Sequence, residues 1–253
     1  MGTKKAVESA TVVIESMKTV SMEVWIKGIT PLITNKMSQK VIHGLLLPKG
    51  KKTAGEKAST MKHNPYEEFR ATAYILEDGP TFLGFPAVAV KSAMGTAALE
   101  VPGAKKTQIQ RMVFILEDLI PIWGIPEVLC AVVRTADMAH TPDVRTRMII
   151  PHWCARLHFK FPSPQMNEKA IVNLLSAGGF LCGIGEWRQE KGSGNYGSFT
   201  VTNEDDPEVQ QLIKEAGRET QIKAFESPEP YNAETKELLS WFNGEAEARG
   251  FRL

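Results

Sequence analysis

Hydrophobic and polar positions alternate with a period of two over Met22–Ile29, where Met22, Val24 and Ile26 share a face. The same period recurs in the second half of Arg147–Phe161: Ala155, Leu157, Phe159 and Phe161 point one way, Arg156, His158 and Lys160 the other. Such alternation marks strands with one buried face. Val113–Ile122, Val128–Arg134 and Ser198–Thr202 read as further strands, and Phe82–Pro86 as a short apolar run. Helical spacing runs through Ala170, Ile171, Leu174 and Leu175 in a helix expected over Asn167–Ala177, with Gly178-Gly179 expected to cap its end. Ala87–Leu99 reads as a buried helix whose only charge before Glu100 is Lys91. Asn64-Pro65, followed by two glutamates, predicts a helix start that runs to about Tyr74. Asp206-Pro207 likewise opens a helical tail.

The order of elements fits an α+β fold, an elaborated split β-α-β plan with an antiparallel sheet and helices on one face. The expectation is one domain over 1–253, with long loop insertions at about 36–64 and 134–147 and an acidic helical tail over 204–253. No short-period repeat points to a solenoid.

Composition changes this picture little. Hydrophobic content is 43% and charged content 23%, which excludes disorder and coiled coil as overall readings. Charge placement is more informative. Lys36–Arg70 carries eight Lys/Arg against three Glu, while Asn203–Leu253 carries six Lys/Arg against twelve Asp/Glu. This asymmetry hints at a polyanionic partner, although a solvated surface explains charge runs as readily. Cys130, Cys154 and Cys182 are widely spaced in apolar stretches with no CxxC pair, and read as buried reduced thiols suited to a cytoplasmic compartment. The first residues lack the apolar core of a signal peptide, and no run approaches the roughly 18 apolar residues of a membrane span. A soluble protein without a membrane partner is expected.

Candidate chemistry concentrates in the glycine-rich run Gly183–Phe199. Its glycines allow close backbone approach and positive φ. Arg188 and Lys191 bring charge, and Trp187, Tyr196 and Phe199 bring faces on which bases stack. A hairpin whose aromatics fold back on the core is the plainer account of the same residues. Gly183-Ile184-Gly185 is followed by Glu-Trp-Arg, so no dinucleotide fingerprint is present, and GxxxxGK[ST] spacing is absent. His43, His63, His140, His152 and His158 have no HExxH spacing, and no serine lies in GxSxG. His140, near Asp137 and Asp143, is a candidate acid–base group on RNA, although a solvated loop histidine is the plainer account. Lys91 at the start of an apolar helix suggests an anion site, with snorkelling to solvent as its alternative. No metal or cofactor is expected.

Three segments then line up with a known family. Ile26–Lys36 (IKGITPLITNK), Gly84–Leu99 (GFPAVAVKSAMGTAAL) and Gly178–Phe199, ending Asn-Tyr-Gly-Ser-Phe, resemble a first strand and its loop, a Pro…Lys helix motif and a terminal glycine loop. In order and spacing they resemble the RAMP superfamily, and more narrowly the RNA-binding backbone subunit of CRISPR effector complexes. Ala89 and Val90 replace the family's serine and leucine, and Asn195 stands where an arginine is common. Phage and mobile-element proteins of the same fold fit equally.

The resemblance implies an RRM/ferredoxin-like core that polymerises head to tail along single-stranded RNA, a CRISPR guide among the candidates, with other effector subunits as partners in cytoplasmic antiviral defence. It implies a ribonucleoprotein helical filament and no enzymatic activity. Nucleic acid would be held by Lys36 and Lys40 after the first strand, Lys91, Lys105 and Lys106 near the central helix, Arg145 and Arg147 in the middle loop, and Trp187, Arg188, Lys191 and Tyr196 in the glycine loop. The alternatives are a RAMP-type endoribonuclease using His140, Asp137 or Asp143, and a phage nucleic-acid-binding or structural assembly protein.

Overall fold

The computed structural model describes residues 16–47, 61–134, 138, 140–191 and 194–251. The long strand β1 (Lys18–Gly28) lies inside the main sheet, one strand in from its edge. It pairs antiparallel with β9 (Cys154–Ser163) on one side and β10 (Phe199–Thr202) on the other. On its far side β9 pairs with β5 (Phe114–Ile115) and β6 (Leu119–Trp123), and β6 pairs with β4 (Leu83–Pro86), which pairs with the short β3 (Tyr74–Ile75). Helix α3 (Ala87–Ala97) connects the first half of the sheet and α5 (Glu168–Leu181) connects β9 to β10. Numbering β1, β6, β9 and β10 as first to fourth, the spatial order β10-β1-β9-β6 is fourth-first-third-second. That order, all antiparallel, is the RRM/ferredoxin-like plan.

A second sheet stands beside the first. Its strands β2 (Leu32–Thr34), β8 (Pro142–Ile150) and β7 (Glu127–Arg134) lie in the order β2-β8-β7. The chain passes directly from one sheet to the other at three corners, residues 29–31, 124–126 and 151–153, the first and last of them bonded to each other. Gly28 N–H donates to Trp153 O at 2.8 Å, and the Trp153 indole donates to Thr30 O at 2.9 Å. A Cβ on Gly28 would fall 2.2 Å from the Trp153 ring, so the corner has room only for glycine. Residues 142–147, expected in a loop, therefore begin a strand of this sheet. Residues 39–46 of the basic insertion form helix α1 (Gln39–Leu46), N-capped by Ser38. Residues 48–60 of that insertion, and the lead-in 1–15, lie outside the described residues.

The main core lies between the sheet and helices α3 and α5, filled by Val24, Ile26, Leu157, Phe159, Met94 and Leu175 among others. The opposite face of the sheet is covered at one end. There Trp25 and Trp123, ring centroids 5.1 Å apart, pack with Cys154 against Val209, Leu212 and Ile213 of α6 (Pro207–Glu215). Asp206 caps α6 and accepts from Lys27 Nζ at 2.8 Å, with Pro207 at the first helical position as its sequence predicts. The remaining tail helices, α7 (Arg218–Glu226) and α8 (Ala233–Ala248), are fastened by buried amide and hydroxyl groups. Gln221 is fully buried. Its Oε1 accepts from Phe82 and Leu83 N–H at 2.8 and 2.9 Å, and its Nε2 donates to Ile122 and Gly124 O at 2.7 and 3.0 Å.

Local signals held where capping chemistry is strong. Helix α2 (Pro65–Ala71) starts at Asn64, whose side chain accepts from Tyr66 and Glu67 N–H, but it ends before Tyr74, which joins β3. Gly178-Gly179 does not end α5. The two glycines lie inside the helix, where a Cβ would sit 3.1 Å from the Met94 backbone on α3 and 2.2 Å from Phe199 O. They serve close packing instead of capping. All three cysteines are buried and free, and burial pushes the Cys154 thiol up to about 12. Among the described residues no helix is long and apolar enough to cross a membrane.

Candidate nucleic-acid interface

The glycine loop folds as a strap across the turn between β1 and β2. Backbone bonds stitch the two together: Glu186 N–H to Ile33 O at 3.0 Å, Gly197 N–H to Pro31 O at 2.8 Å, and Ile29 N–H to Ser198 O at 2.8 Å. Within the loop Ile184 N–H donates to Gly197 O at 2.9 Å. This closeness needs glycine. Gly185 and Gly197 have φ of +89° and +70°, and a Cβ there would fall 2.5 Å from Ile33 O and 1.6 Å from Ile184 O. The first and third segments of the RAMP-like pattern thus form one structural unit.

The strap holds open a cleft of ≈ 510 Å³ lined by Glu186, Trp187, Arg188, Lys191, Asn195 and Tyr196. The Trp187 and Tyr196 rings are tilted, with centroids 6.1 Å apart. Their inner sides rest on Ile33, Leu129 and Ile149 of the second sheet, while both residues stay half-buried. Phe199, the third aromatic of the run, is fully buried and edge-on to Trp153, so it belongs to the core.

Charge in the cleft is partly neutralised from within. Arg147, from β8, lies behind the loop with its Nε on Glu186 Oε2 at 2.5 Å, its Nη2 on Oε1 at 3.4 Å and its Nη1 on Thr146 O at 2.9 Å. It is only 8% exposed and anchors the loop from beneath. Arg188 reaches Glu190 Oε2 and Gly185 O, each at 2.9 Å. Among the described residues lining the cleft, Lys191 is the cation without an ion pair. Gln189 Nε2 contacts Asn195 Oδ1 at 3.4 Å, leaving an amide pair at the rim. Glu186 is the member that the sequence reading passed over. The one clue was a lone arginine in the apolar stretch Arg147–Ile150 that needed a carboxylate.

The remaining candidates lie elsewhere. Lys91 reaches over the Phe114 ring at 5.2 Å, and Phe114 pairs with Lys160 of β9; α3, which carries Lys91, meets the loop five residues further on, where Thr96 Oγ1 lies 3.4 Å from Glu190 Oε1. Lys36 is exposed, 6.0 Å from the Tyr74 ring centroid. Lys40 falls in α1, its side chain outside the described residues. Lys105 and Lys106 stand at the start of α4 (Lys106–Met112). Arg145 lies 3.5 Å from Asp143 on β8, which is a strand residue pair and not a loop. Asp143 also holds Lys62 at 3.0 Å and His63 at 3.1 Å. The Lys62 hydrogen bond, helped by His63, brings its carboxyl down to about 2. His140 is exposed with φ +46°, and Asp137 lies outside the described residues, as do Gly192 and Ser193. Among the described residues no three His, Cys, Asp or Glu side chains are arranged to hold a metal ion.

No family model matches the chain, and no curated protein does. Solved structures do. A chain in the cryo-EM structure of the type III-B Cmr-beta bound to cognate target RNA matches at 14% identity with a TM-score of 0.37, over 74% of this chain. This chain spans 60% of that one's length. The crystal structure of Cmr6 from Pyrococcus furiosus matches at 9% identity with a TM-score of 0.38, over 73% of this chain and 98% of that one.

Proposed function

We propose that this chain is a non-catalytic subunit that binds single-stranded RNA in the cleft beneath the glycine loop. In the same reading, copies associate head to tail along the strand, within a CRISPR-type effector or a similar cytoplasmic ribonucleoprotein used in antiviral defence. The observation that carries it is the convergence in one open cleft of the Trp187 and Tyr196 rings, the Asn195 amide and Lys191, which has no ion pair among the described residues. Single strands offer unstacked base faces to aromatic rings, which a duplex does not, beside phosphates for a lysine and base edges for an amide. The rigid stitching of the loop supports binding over mobility, since it fixes the rings before a ligand arrives. Asp143 is already engaged by Lys62, His63 and Arg145, which supports a structural role for it over acid–base work with His140.

The test is fluorescence anisotropy with labelled single-stranded RNA, single-stranded DNA and duplex RNA. Binding should favour the single-stranded RNA. Tyr196→Ala should weaken it by about 1–3 kcal/mol, the worth of one stacked base. Lys191→Ala should lower the slope of log affinity against log salt by about 0.7. No binding at low salt, or equal affinity for both variants and the parent, would overturn the reading.

A further inference from the structure

Two surfaces at opposite ends of the second sheet carry side chains left without a partner of their own kind. The first is helix α1. Met37, Val41, Leu45, Leu46 and Leu47 are between 50% and 78% exposed, a concentration of large apolar groups on one short element. Strand β2 runs antiparallel to β8, with Leu32 opposite Ile150 and Thr34 opposite Met148, so the chain enters α1 heading toward the Asp143 end of β8. Lys36, Ser38 and Gln39 accordingly line a groove with Lys62, which holds Asp143.

The second surface lies at the Pro151 end, about 25 Å of extended strand away. There a cleft of ≈ 600 Å³ has Ile125 and Leu212 among its apolar walls and Glu127, Glu208 and Glu215 around them, with His152 beside it. Glu208 is engaged by Lys27. Glu127 and Glu215 form no ion pair among the described residues. Burial raises the Glu127 carboxyl above its ordinary value, opposed by the charge of His152 and supported by that of Glu229.

We propose that these surfaces are the two halves of one interface between copies of this chain, the apolar face of α1 in one copy seating in the acid-rimmed cleft of the next. Charge selects this pairing. Asn35–Leu47 contains Lys36, Lys40 and His43 and no carboxylate, so two α1 helices facing each other would oppose like charges, whereas the cleft presents carboxylates around an apolar floor. Because the two patches differ and lie at opposite ends of the sheet, their pairing is heterologous, and association continues past a dimer. The inference rests on the head-to-tail association proposed above and names its surfaces.

Sedimentation velocity on the full chain, stripped of nucleic acid with nuclease, tests it. The parent should grow beyond dimers as concentration rises. The double variant Leu45→Glu, Leu46→Glu and the double variant Glu127→Lys, Glu215→Lys should each remain monomeric. Mixed one to one they should stop at dimers, because one intact interface survives between them. Glu215→Lys alone, at an exposed helix position, should weaken association and guards against misfolding of the double variant, as does an unchanged circular dichroism spectrum. A monomeric parent, an α1 variant that associates like the parent, or a mixture that stays monomeric would each overturn the interface. RNA anisotropy on the same variants separates the two claims. Retained RNA binding with no association removes the interface alone, and association without RNA binding removes the RNA reading alone.

Discussion

The Arg147–Glu186 pair decides whether the glycine loop works by charge or by position. Its side chains are 10% and 24% exposed, so water reaches the carboxylate and hardly reaches the guanidinium. Removing one partner of a buried pair costs about 3–5 kcal/mol because the survivor is left uncompensated. For Glu186→Ala the survivor is the shielded Arg147, left with Thr146 O as its remaining acceptor, and the partial exposure of Glu186 places the cost near the lower bound, about 3 kcal/mol. For Arg147→Ala the survivor is a carboxylate that can turn to water, and the loss should be about 1–2 kcal/mol. Glu186→Gln keeps an acceptor oxygen and should cost about 1.5 kcal/mol. Urea denaturation followed by tryptophan fluorescence measures all three, and the double variant gives the coupling. RNA affinity supplies the second readout. Glu186→Gln makes the cleft more positive, so simple attraction predicts tighter binding. Positioning predicts weaker binding, because the loop loses half of its anchor on β8 and the rings move. Stability of Glu186→Ala within about 0.5 kcal/mol of the parent, or tighter RNA binding by Glu186→Gln at unchanged stability, would refute the reasoning.

Three further outcomes follow from the same geometry. Gly197→Ala places a Cβ 1.6 Å from Ile184 O at a φ of +70°, so the strap must open, and at least about 2 kcal/mol of stability should be lost together with RNA binding. The Lys27 hydrogen bond, followed by that of Thr202, holds the Asp206 carboxyl at about 2, below its ordinary 3.8. A lowered folded-state value stabilises above the unfolded value, so this support for α6 should be complete above about pH 4 and lost as pH falls through about 2. Fluorescence of Trp25 and Trp123 beneath α6 should report that loss, and Asp206→Asn should flatten it. Gln221→Leu removes four hydrogen bonds at a fully buried site and should cost about 3 kcal/mol in urea melts, with Gln221→Glu sparing the two N–H donors and so losing less at low pH than at neutral pH.

The parts legible in the sequence are those fixed by short-range physics. The period of two along β1 and β9, the Asn64-Pro65 and Asp206-Pro207 starts and the order of strands and helices depend on neighbours a few residues apart. Other features depend on what arrives from far along the chain. Gly178-Gly179 has the composition of a helix end, but the approach of α3 and Phe199 decides its role. Pro142–Arg147 has the composition of a loop, but β7 offers it a partner strand. In the candidate cleft, Trp187, Arg188, Lys191 and Tyr196 come together because they share one loop. The contact of Arg147 is not legible in the sequence, since its carboxylate lies 39 residues away. Lys91 is set apart by sequence as a lone cation on an apolar helix, and its neighbour across space, the Phe114 ring, comes from 23 positions further along the chain.

The position of β1 also governs how the protein can be made. It is paired along both sides, yet its flanking strands begin only at Cys154 and Phe199. At ribosomal speeds of about 5–20 residues per second, β1 waits on the order of ten seconds before either edge can be paired. Throughout that interval Val24 and Ile26 emerge beside unpaired backbone amides, the combination that recruits foreign strands. The charged and polar residues interleaved with them, Glu23 and Lys27, then act as guards during synthesis, before His158 and Asp206 exist to claim them. Synonymous slowing of translation before Cys154 should therefore lower soluble yield without altering the finished protein.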